Sequence, residues 1–457
     1  EIAQCLVGSE MCIRDRSYNV FFISLGCAKN QVNCEQMMAT VQHAGHNIVL
    51  SPEGADVAVV NTCGFLASAC EEAIDNILEM AELKQEGGLK KIIVTGCMAQ
   101  RYKDDVLREL PEVDAVLGTG SYGDIALALD EVMSGAAPRP CHMGDIHHCP
   151  QGGARILSTP PWYAYLRIAE GCDNCCAYCV IPRLRGRYRS RPMAELLDEA
   201  SELASAGVKE LIVIAQDITR YGTDFNGEHQ LPVLLRELCK LDFHWIRLHY
   251  LYPDEITEEL IDTIAEEKKI VPYLDIPIQH CNDDILKAMN RRDTKESLRK
   301  VFHDLRERVP GLVLRTSIIA GLPGEGEAEF EELCDFLREE KIERAGVFPF
   351  SPEEGTKAAA MEHVSTEEAQ RRTELLVDVQ SEIIDAYNDS VLGDIREVLC
   401  EGWSEESQSF VGRSYAESVD IDGKIYFSSN CDIMAGEFVN VRLTGTMDGE
   451  LTGEAVE

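Results

Sequence analysis

No stretch of the 457 residues stays apolar for the roughly 20 positions that a membrane-spanning helix needs, so no such helix is expected. No basic-then-apolar leader opens the chain either, and a cytoplasmic location is the expectation. Cations are scarce: 43 Lys and Arg stand against 80 Asp and Glu, a net charge of −37. A surface that acidic repels phosphate backbones and attracts basic partners, with plain solubility as the competing explanation. Disulfides are disfavoured as well, because 18 cysteines in a long chain without a leader point to metal and a reducing compartment. A composition 45% hydrophobic is ample for real cores, and the length suits two to four domains.

The cysteines are unevenly placed. Glu170-Gly171-Cys172-Asp173-Asn174-Cys175-Cys176-Ala177-Tyr178-Cys179 puts four thiols within eight residues, directly after the strand-like Tyr163 to Ile168. A core uses cysteine singly, as a small apolar filler. Cys172, Cys176 and Cys179 are spaced CxxxCxxC, which lets one short loop wrap three thiolates around a corner of a four-iron, four-sulfur cube and leaves the fourth iron open. Zinc is the alternative, since Cys172/Cys175 and Cys176/Cys179 are also CxxC pairs, but zinc pairs are separated by a loop and these overlap. With Tyr178 before its last cysteine, the motif resembles the signature of the radical S-adenosylmethionine (SAM) superfamily. That resemblance implies SAM at the open iron as the source of a carbon radical, and Tyr178 near the adenine. Cys175 is left as an unligated spare.

Residues 1–16 lack periodicity and lead abruptly into a strand, so they are read as a non-native extension, and Cys5 and Cys12 are set aside with them. From 17 to 135 the pattern alternates. Val20 to Cys27, Asp56 to Cys63 and Lys91 to Cys97 are apolar runs, followed by helix-like Gln31 to Ala44, Leu66 to Leu83 and Arg101 to Leu110. Continuous apolar strands between helices imply an open parallel sheet covered on both faces. Strand ends share one edge in such a sheet, so Cys27, Cys63 and Cys97 should converge as a second three-thiol metal site. Cys34 and Cys70 fall inside helices and read as ordinary core residues.

Ser24-Leu25-Gly26-Cys27-Ala28-Lys29-Asn30, Asn61-Thr62-Cys63-Gly64-Phe65 and Thr95-Gly96-Cys97-Met98, followed by the radical SAM loop, resemble the methylthiotransferases. These enzymes insert sulfur into a C–H bond and cap it with a methyl group. The first two motifs resemble the branch acting on an aspartate of small-subunit ribosomal protein S-twelve more than the tRNA-modifying branch; Ala28 stands where proline is expected. The resemblance implies two 4Fe-4S clusters and SAM as both radical source and methyl donor.

Residues 136–160, with Pro138, Pro140, Pro150 and Pro160, read as a linker free of regular structure. Cys141, His142, His147, His148 and Cys149 crowd it in no standard zinc spacing. Over 161–388 six strand–helix units suggest a partial (β/α) barrel with its site at the carboxyl rim. His249 and His280 fall there, the latter read as a structural hydrogen-bonder. The resemblance makes Gln216, Asp217 and the turn Gly321 to Glu325, with Gly321, Gly324 and Glu325, SAM contacts. Arg183, Arg185, Arg187, Arg189 and Arg191 alternate as extended chain would, all pointing one way, toward SAM, an acidic substrate or the protein's own acids.

Residues 391–457 carry five short strands, which suggest a small OB-like barrel and resemble the TRAM domain. Four Lys and Arg there stand against fourteen Asp and Glu, so RNA binding is not expected and a basic ribosomal protein suits the surface better. The expected architecture is α/β throughout its first two domains, ending in a β-barrel. The expected function is methylthiolation of the aspartate β-carbon, supplied with electrons by a flavodoxin or ferredoxin. A tRNA adenosine methylthiotransferase and a non-catalytic iron–sulfur electron carrier are the alternatives.

Overall fold

The computed structural model describes residues 17–147 and 152–456, so the extension at 1–16 and the linker's His148 and Cys149 lie outside the described residues. The chain divides into two compact units. The first runs to Ser158 and adds Glu170–Cys172 and Val180–Arg187; the second takes Thr159–Ala169, Asp173–Cys179 and everything from Tyr188.

In the first unit, β1 (Asn19–Ser24), β2 (Asn47–Val49), β3 (Val57–Thr62), β4 (Lys91–Gly96), β5 (Ala115–Leu117) and β6 (Cys141–His142) form a parallel sheet in the order β2-β1-β3-β4-β5-β6. Strand β3 is buried at every position, because its side chains alternate between two covered faces. Ala58 and Val60 pack with Ile77 and Met80 of the helix Ala67–Gln85, while Val57 and Val59 pack with Met37 and Val41 of the helix Ala28–His43.

Two local expectations are corrected here. The helix expected over Arg101 to Leu110 starts at Cys97 and is broken into Cys97–Tyr102 and Asp104–Glu109, with Lys103 between them at φ 41°. The proline-rich stretch is not wholly irregular: Cys141–His142 forms the edge strand β6, where the Val116 N–H donates to Pro140 O at 3.0 Å and the Gly118 N–H to His142 O at 2.8 Å. Proline lacks a donor but keeps its carbonyl, so a sheet edge tolerates it. His142 Nε2 lies 2.8 Å from Glu131, which gives the ring a partner other than a metal.

In the second unit, β7 (Tyr163–Arg167), β8 (Glu210–Ile214), β9 (Trp245–Leu248), β10 (Ile270–Asp275), β11 (Val313–Ala320) and β12 (Arg344–Pro349) are parallel, each beside its predecessor. Sequential parallel neighbours with intervening helices are the connectivity of a (β/α) barrel, here six units long and open. After the long helix Thr366–Ser390, β13 (Ile395–Ser404), β14 (Ser409–Arg413), β15 (Ile425–Ser428), β16 (Phe438–Met447) and β17 (Glu450–Ala455) close into a barrel in the order β13-β14-β15-β17-β16. Val398, Cys400, Phe427 and Val441 fill it.

Buried charge fastens this barrel to the sheet. Glu210, at the start of β8, accepts from Arg247 Nε at 2.7 Å and from Arg413 Nη2 at 2.8 Å, and Arg413 Nε donates to Glu401 at 2.7 Å. Two guanidinium groups thus meet two carboxylates, which is what lets ions persist out of water. The chain beyond β14 is held similarly: Arg247 donates to Tyr415 O at 2.8 Å, Arg344 to Glu417 at 3.0 Å and Tyr273 to Asp422 at 2.5 Å. Burial alone would raise the Glu210 carboxyl, but Arg413 and Arg247 outweigh it and hold the group down to about 2. A depressed carboxyl stabilises fully above its ordinary value of 4.5 and loses that contribution as pH falls toward about 2.

Glu210→Ala leaves buried cations without their carboxylate and should lower the unfolding free energy of this unit by about 3–5 kcal/mol at neutral pH, read from urea denaturation. Arg236→Ala, which breaks the exposed Arg236–Glu259 pair, should shift it by less than about 1 kcal/mol. Equal shifts for the two variants would refute the fastening role.

Candidate metal centres

The carboxyl edge of the first sheet carries Cys27, Cys63 and Cys97, which follow the ends of β1, β3 and β4. Short polar side chains clamp the three turns together. Asn30 Nδ2 donates to Leu25 O at 2.7 Å, Asn61 Nδ2 to Asn30 O at 2.8 Å, and Thr62 Oγ1 to Thr95 O at 2.6 Å. Glycine permits the close approach: a Cβ at Gly96, φ +99°, would lie 2.4 Å from Thr62 O, and one at Gly26, φ +87°, would lie 2.7 Å from Cys63 Cβ and 3.1 Å from its sulfur. The residues flanking the cysteines are therefore the parts that bring the turns into contact.

The helix Ile181–Arg185 belongs to this unit and packs Val180 and Leu184 against Cys97. It also corrects the expected arginine ladder. Pro182 in the first turn starts a helix where extended chain was expected, and Gly186 at φ 76° ends it. Arg183 and Arg187 are exposed while Arg185 is buried, its Nη1 donating to Asn33 Oδ1 at 2.7 Å and to Glu170 at 3.2 Å, and its Nη2 to Asn30 Oδ1 at 3.2 Å. In the second unit Arg191 is buried against Glu199 at 2.7 Å, so this guanidinium meets one of the protein's own acids.

Burial opposes ionisation of all three thiols, and nearby charge sorts them. At Cys27, which solvent reaches, protein packing around the sulfur is outweighed by Lys29, Arg185 and the backbone N–H groups of Asn30 and Lys29, and the thiol ionises below its usual range. At Cys63 burial prevails over the Phe65 N–H and raises it. Cys97 is pushed up to about 11 by burial, against the pull of Arg185, with Cys27 and Cys63 adding repulsion. Among the described residues no three ligating groups close on a single metal ion. Cluster ligands bind separate irons and stand wider apart than the ligands of one ion. Three neighbouring thiols with a buried cation beside them fit an anionic iron–sulfur cluster.

Of the second trio, Cys172 falls in the first unit, where its N–H donates to Gly186 O at 3.2 Å, and Cys176 and Cys179 fall in the second, where the Cys179 N–H donates to Cys176 O at 3.0 Å. All three are partly accessible to solvent, as an outside ligand requires. The loop is tied to the rim of the second sheet: the Ala177 N–H donates to Met289 O at 2.9 Å and Asn174 Nδ2 to Asp217 Oδ2 at 2.9 Å. Burial raises the Asp217 carboxyl despite bonds from Thr219 and Asn174, while Gln216 beside it keeps partial exposure. Tyr178 is raised well above the ordinary phenol, by burial first and then by Cys176.

The Gly321–Glu325 turn divides by role. A Cβ at Gly321, φ +79°, would lie 2.7 Å from Ala369 Cβ, so this glycine admits the long helix against the turn. Glu325 accepts from the Gly321 N–H at 2.9 Å and Arg372 at 2.8 Å, with His280 Nε2 at 3.2 Å. His280 Nδ1 accepts the Asn282 N–H at 3.0 Å. Gly324 is the exposed member of the turn. Sequence reasoning passed over Asn30 and Asn61 although both lie inside the motifs. Arg185 reads in the sequence only as one of five alternating arginines, and Tyr252 and Arg291 carry no local signal at all.

Residues 19–118 match the uncharacterized protein family UPF0004, 166–337 the radical SAM superfamily and 392–456 the TRAM domain. The chain is 45% identical over 438 residues, 95% of its length and 99% of the relative's, to the ribosomal protein uS12 methylthiotransferase RimO of Thermoanaerobacter sp. (strain X514). It is 46% identical over 439 residues, with the same coverage of both chains, to the protein of that name from Lachnoclostridium phytofermentans. Among solved structures, the radical SAM methyltransferase TsrM from Kitasatospora setae, with cobalamin and a [4Fe-4S] cluster bound, aligns at a TM-score of 0.55 and 14% identity over 73% of this chain and 72% of its own, a likeness of fold alone.

In the metal-free protein at neutral pH, iodoacetamide should modify Cys27 first and Cys97 last among the first three thiols, as followed by peptide mass spectrometry. Cys97 reacting as fast as Cys27 would contradict the charge distribution described here.

Proposed function

The chain belongs to the RimO family of radical SAM methylthiotransferases, and from that premise we propose that it methylthiolates the β-carbon of an aspartate in ribosomal protein uS12. Identity of 45% across 95% of the chain to proteins bearing that name carries the reading. Cys172, Cys176 and Cys179 would hold one 4Fe-4S cluster and Cys27, Cys63 and Cys97 the other, each trio leaving one iron for an outside ligand. When bound, SAM and the two clusters supply the carbon radical, the sulfur and the methyl group.

This chain's own residues orient the reactants. Asp217, anchored by Thr219 and Asn174, offers a carboxylate to an ammonium or to ribose hydroxyls beside the cluster loop, with Gln216 next to it and Tyr178 on the loop itself. Gly324 lets a ligand approach the backbone closely, while Gly321 and Glu325 shape the turn that presents it. Arg185 and Lys29 supply positive charge near thiolates that would otherwise repel one another.

The organisation that goes with this function is a methylthiotransferase domain over 17–135, a radical SAM core over 161–388 and a TRAM domain over 391–457. A net charge of −37 supports a basic protein substrate over RNA, and an electron donor of flavodoxin or ferredoxin type and work in the cytoplasm belong to the same reading. The TRAM match keeps a tRNA substrate as the second reading.

With the chain reconstituted anaerobically, Cys27→Ala, Cys63→Ala and Cys97→Ala together should remove half the iron and spare SAM cleavage to 5′-deoxyadenosine. Alanine at Cys172, Cys176 and Cys179 should reduce that cleavage to background. Incubated with uS12 and with tRNA, the intact enzyme should leave a methylthio mass increment on uS12; an increment on tRNA alone would overturn the substrate assignment, and no SAM cleavage would overturn the enzyme.

A further inference from the structure

Tyr252 stands at the carboxyl end of the second sheet, almost wholly buried, with its hydroxyl 3.9 Å from Cys176 Sγ. Its ring is covered by two guanidinium groups, Arg291 Cζ at 4.4 Å and Arg292 Cζ at 5.4 Å from the centroid. Arg291 is itself buried and fixed, donating to Pro277 O at 3.0 Å and pairing with Asp293 at 3.0 Å. The Tyr252 N–H donates to Thr219 Oγ1 at 3.3 Å, and Thr219 bonds Asp217 in turn. The segment leading into Arg291 grips the cysteine loop, the Met289 carbonyl accepting from the Ala177 N–H at 2.9 Å and the Asn290 side-chain amide donating to Cys175 O at 3.0 Å. The phenol is therefore held from three sides with its one polar atom aimed at a cluster-loop sulfur.

That arrangement exceeds what packing needs. A thiolate ligand can only accept, so the hydroxyl must be the donor. A cation over the ring withdraws electron density and strengthens that donor. A hydrogen bond to a cluster sulfur favours the more negative, reduced state over the oxidised one.

Resting on the assignment of Cys172, Cys176 and Cys179 as ligands, we propose that Tyr252, held by Arg291, is a positioning residue that donates to the Cys176 sulfur and raises the reduction potential of the cluster bound there. It eases the electron transfer that precedes SAM cleavage without touching SAM.

The test uses the full chain with Cys27, Cys63 and Cys97 replaced by alanine, so that one cluster remains, reconstituted anaerobically without SAM. In a redox titration followed by electron paramagnetic resonance, Tyr252→Phe should shift the midpoint to a more negative potential at equal iron content. In D2O, the deuteron coupling to the reduced cluster should lose one exchangeable site in the same variant. Arg291→Lys, which keeps the charge but loses planar stacking, should shift the midpoint in the same direction by less, and serves if Tyr252→Phe takes up no iron. An unchanged midpoint with unchanged coupling overturns the proposal. If the three-alanine chain with Tyr252 intact binds no cluster, it is the ligand assignment that fails.

Discussion

Parallel strands joined through helices send every carboxyl end to the same edge, and both sheets of this protein put their chemistry there. The constraint is topological before it is chemical. In the first sheet it gathers Cys27, Cys63 and Cys97 from turns more than thirty residues apart; in the second it brings Asp217 and Tyr252 to the cysteine loop. Neither group could form on a meander, whose successive strand ends alternate between opposite edges.

Gathering thiols is costly unless something holds the turns and balances the charge. Asn30, Asn61 and Thr62 do the first by exchanging hydrogen bonds among three loops whose backbone would otherwise lack partners at the strand ends. Arg185 does the second, delivered by a helix that begins directly after the other cysteine motif. The same logic recurs in the Arg247–Glu210–Arg413–Glu401 chain, where buried ions are matched one for one and the small barrel is held against the sheet.

Much of this was legible in the residues. Apolar runs of six to eight with helix-like stretches between them identified the parallel strands, and the cysteine at the end of each run predicted the shared edge. The arginine ladder shows where such reading stops: alternation of Arg183 to Arg191 resembled extended chain, yet Pro182 and the cover offered by Cys97 and Phe65 made the first part a helix. Glu325, which the resemblance made a SAM contact, also accepts from the Gly321 N–H and from Arg372, and the arginine lies 47 residues away where no local pattern announces it. Cys141 and His142, read as linker, found a free sheet edge beside β5.

The chain's order of residues by itself determined which thiols exist, their spacing within the loop Cys172 to Cys179, the strand and helix alternation, and the acidity of the surface, because each depends on neighbours within a few positions. Tertiary structure alone decided which charges meet and which hydroxyl reaches which sulfur. Glu210 and Arg413 are 203 residues apart, and Tyr252 and Cys176 are 76 apart. Pairings over such distances follow from how helices pack on sheets, and local spacing holds no record of them.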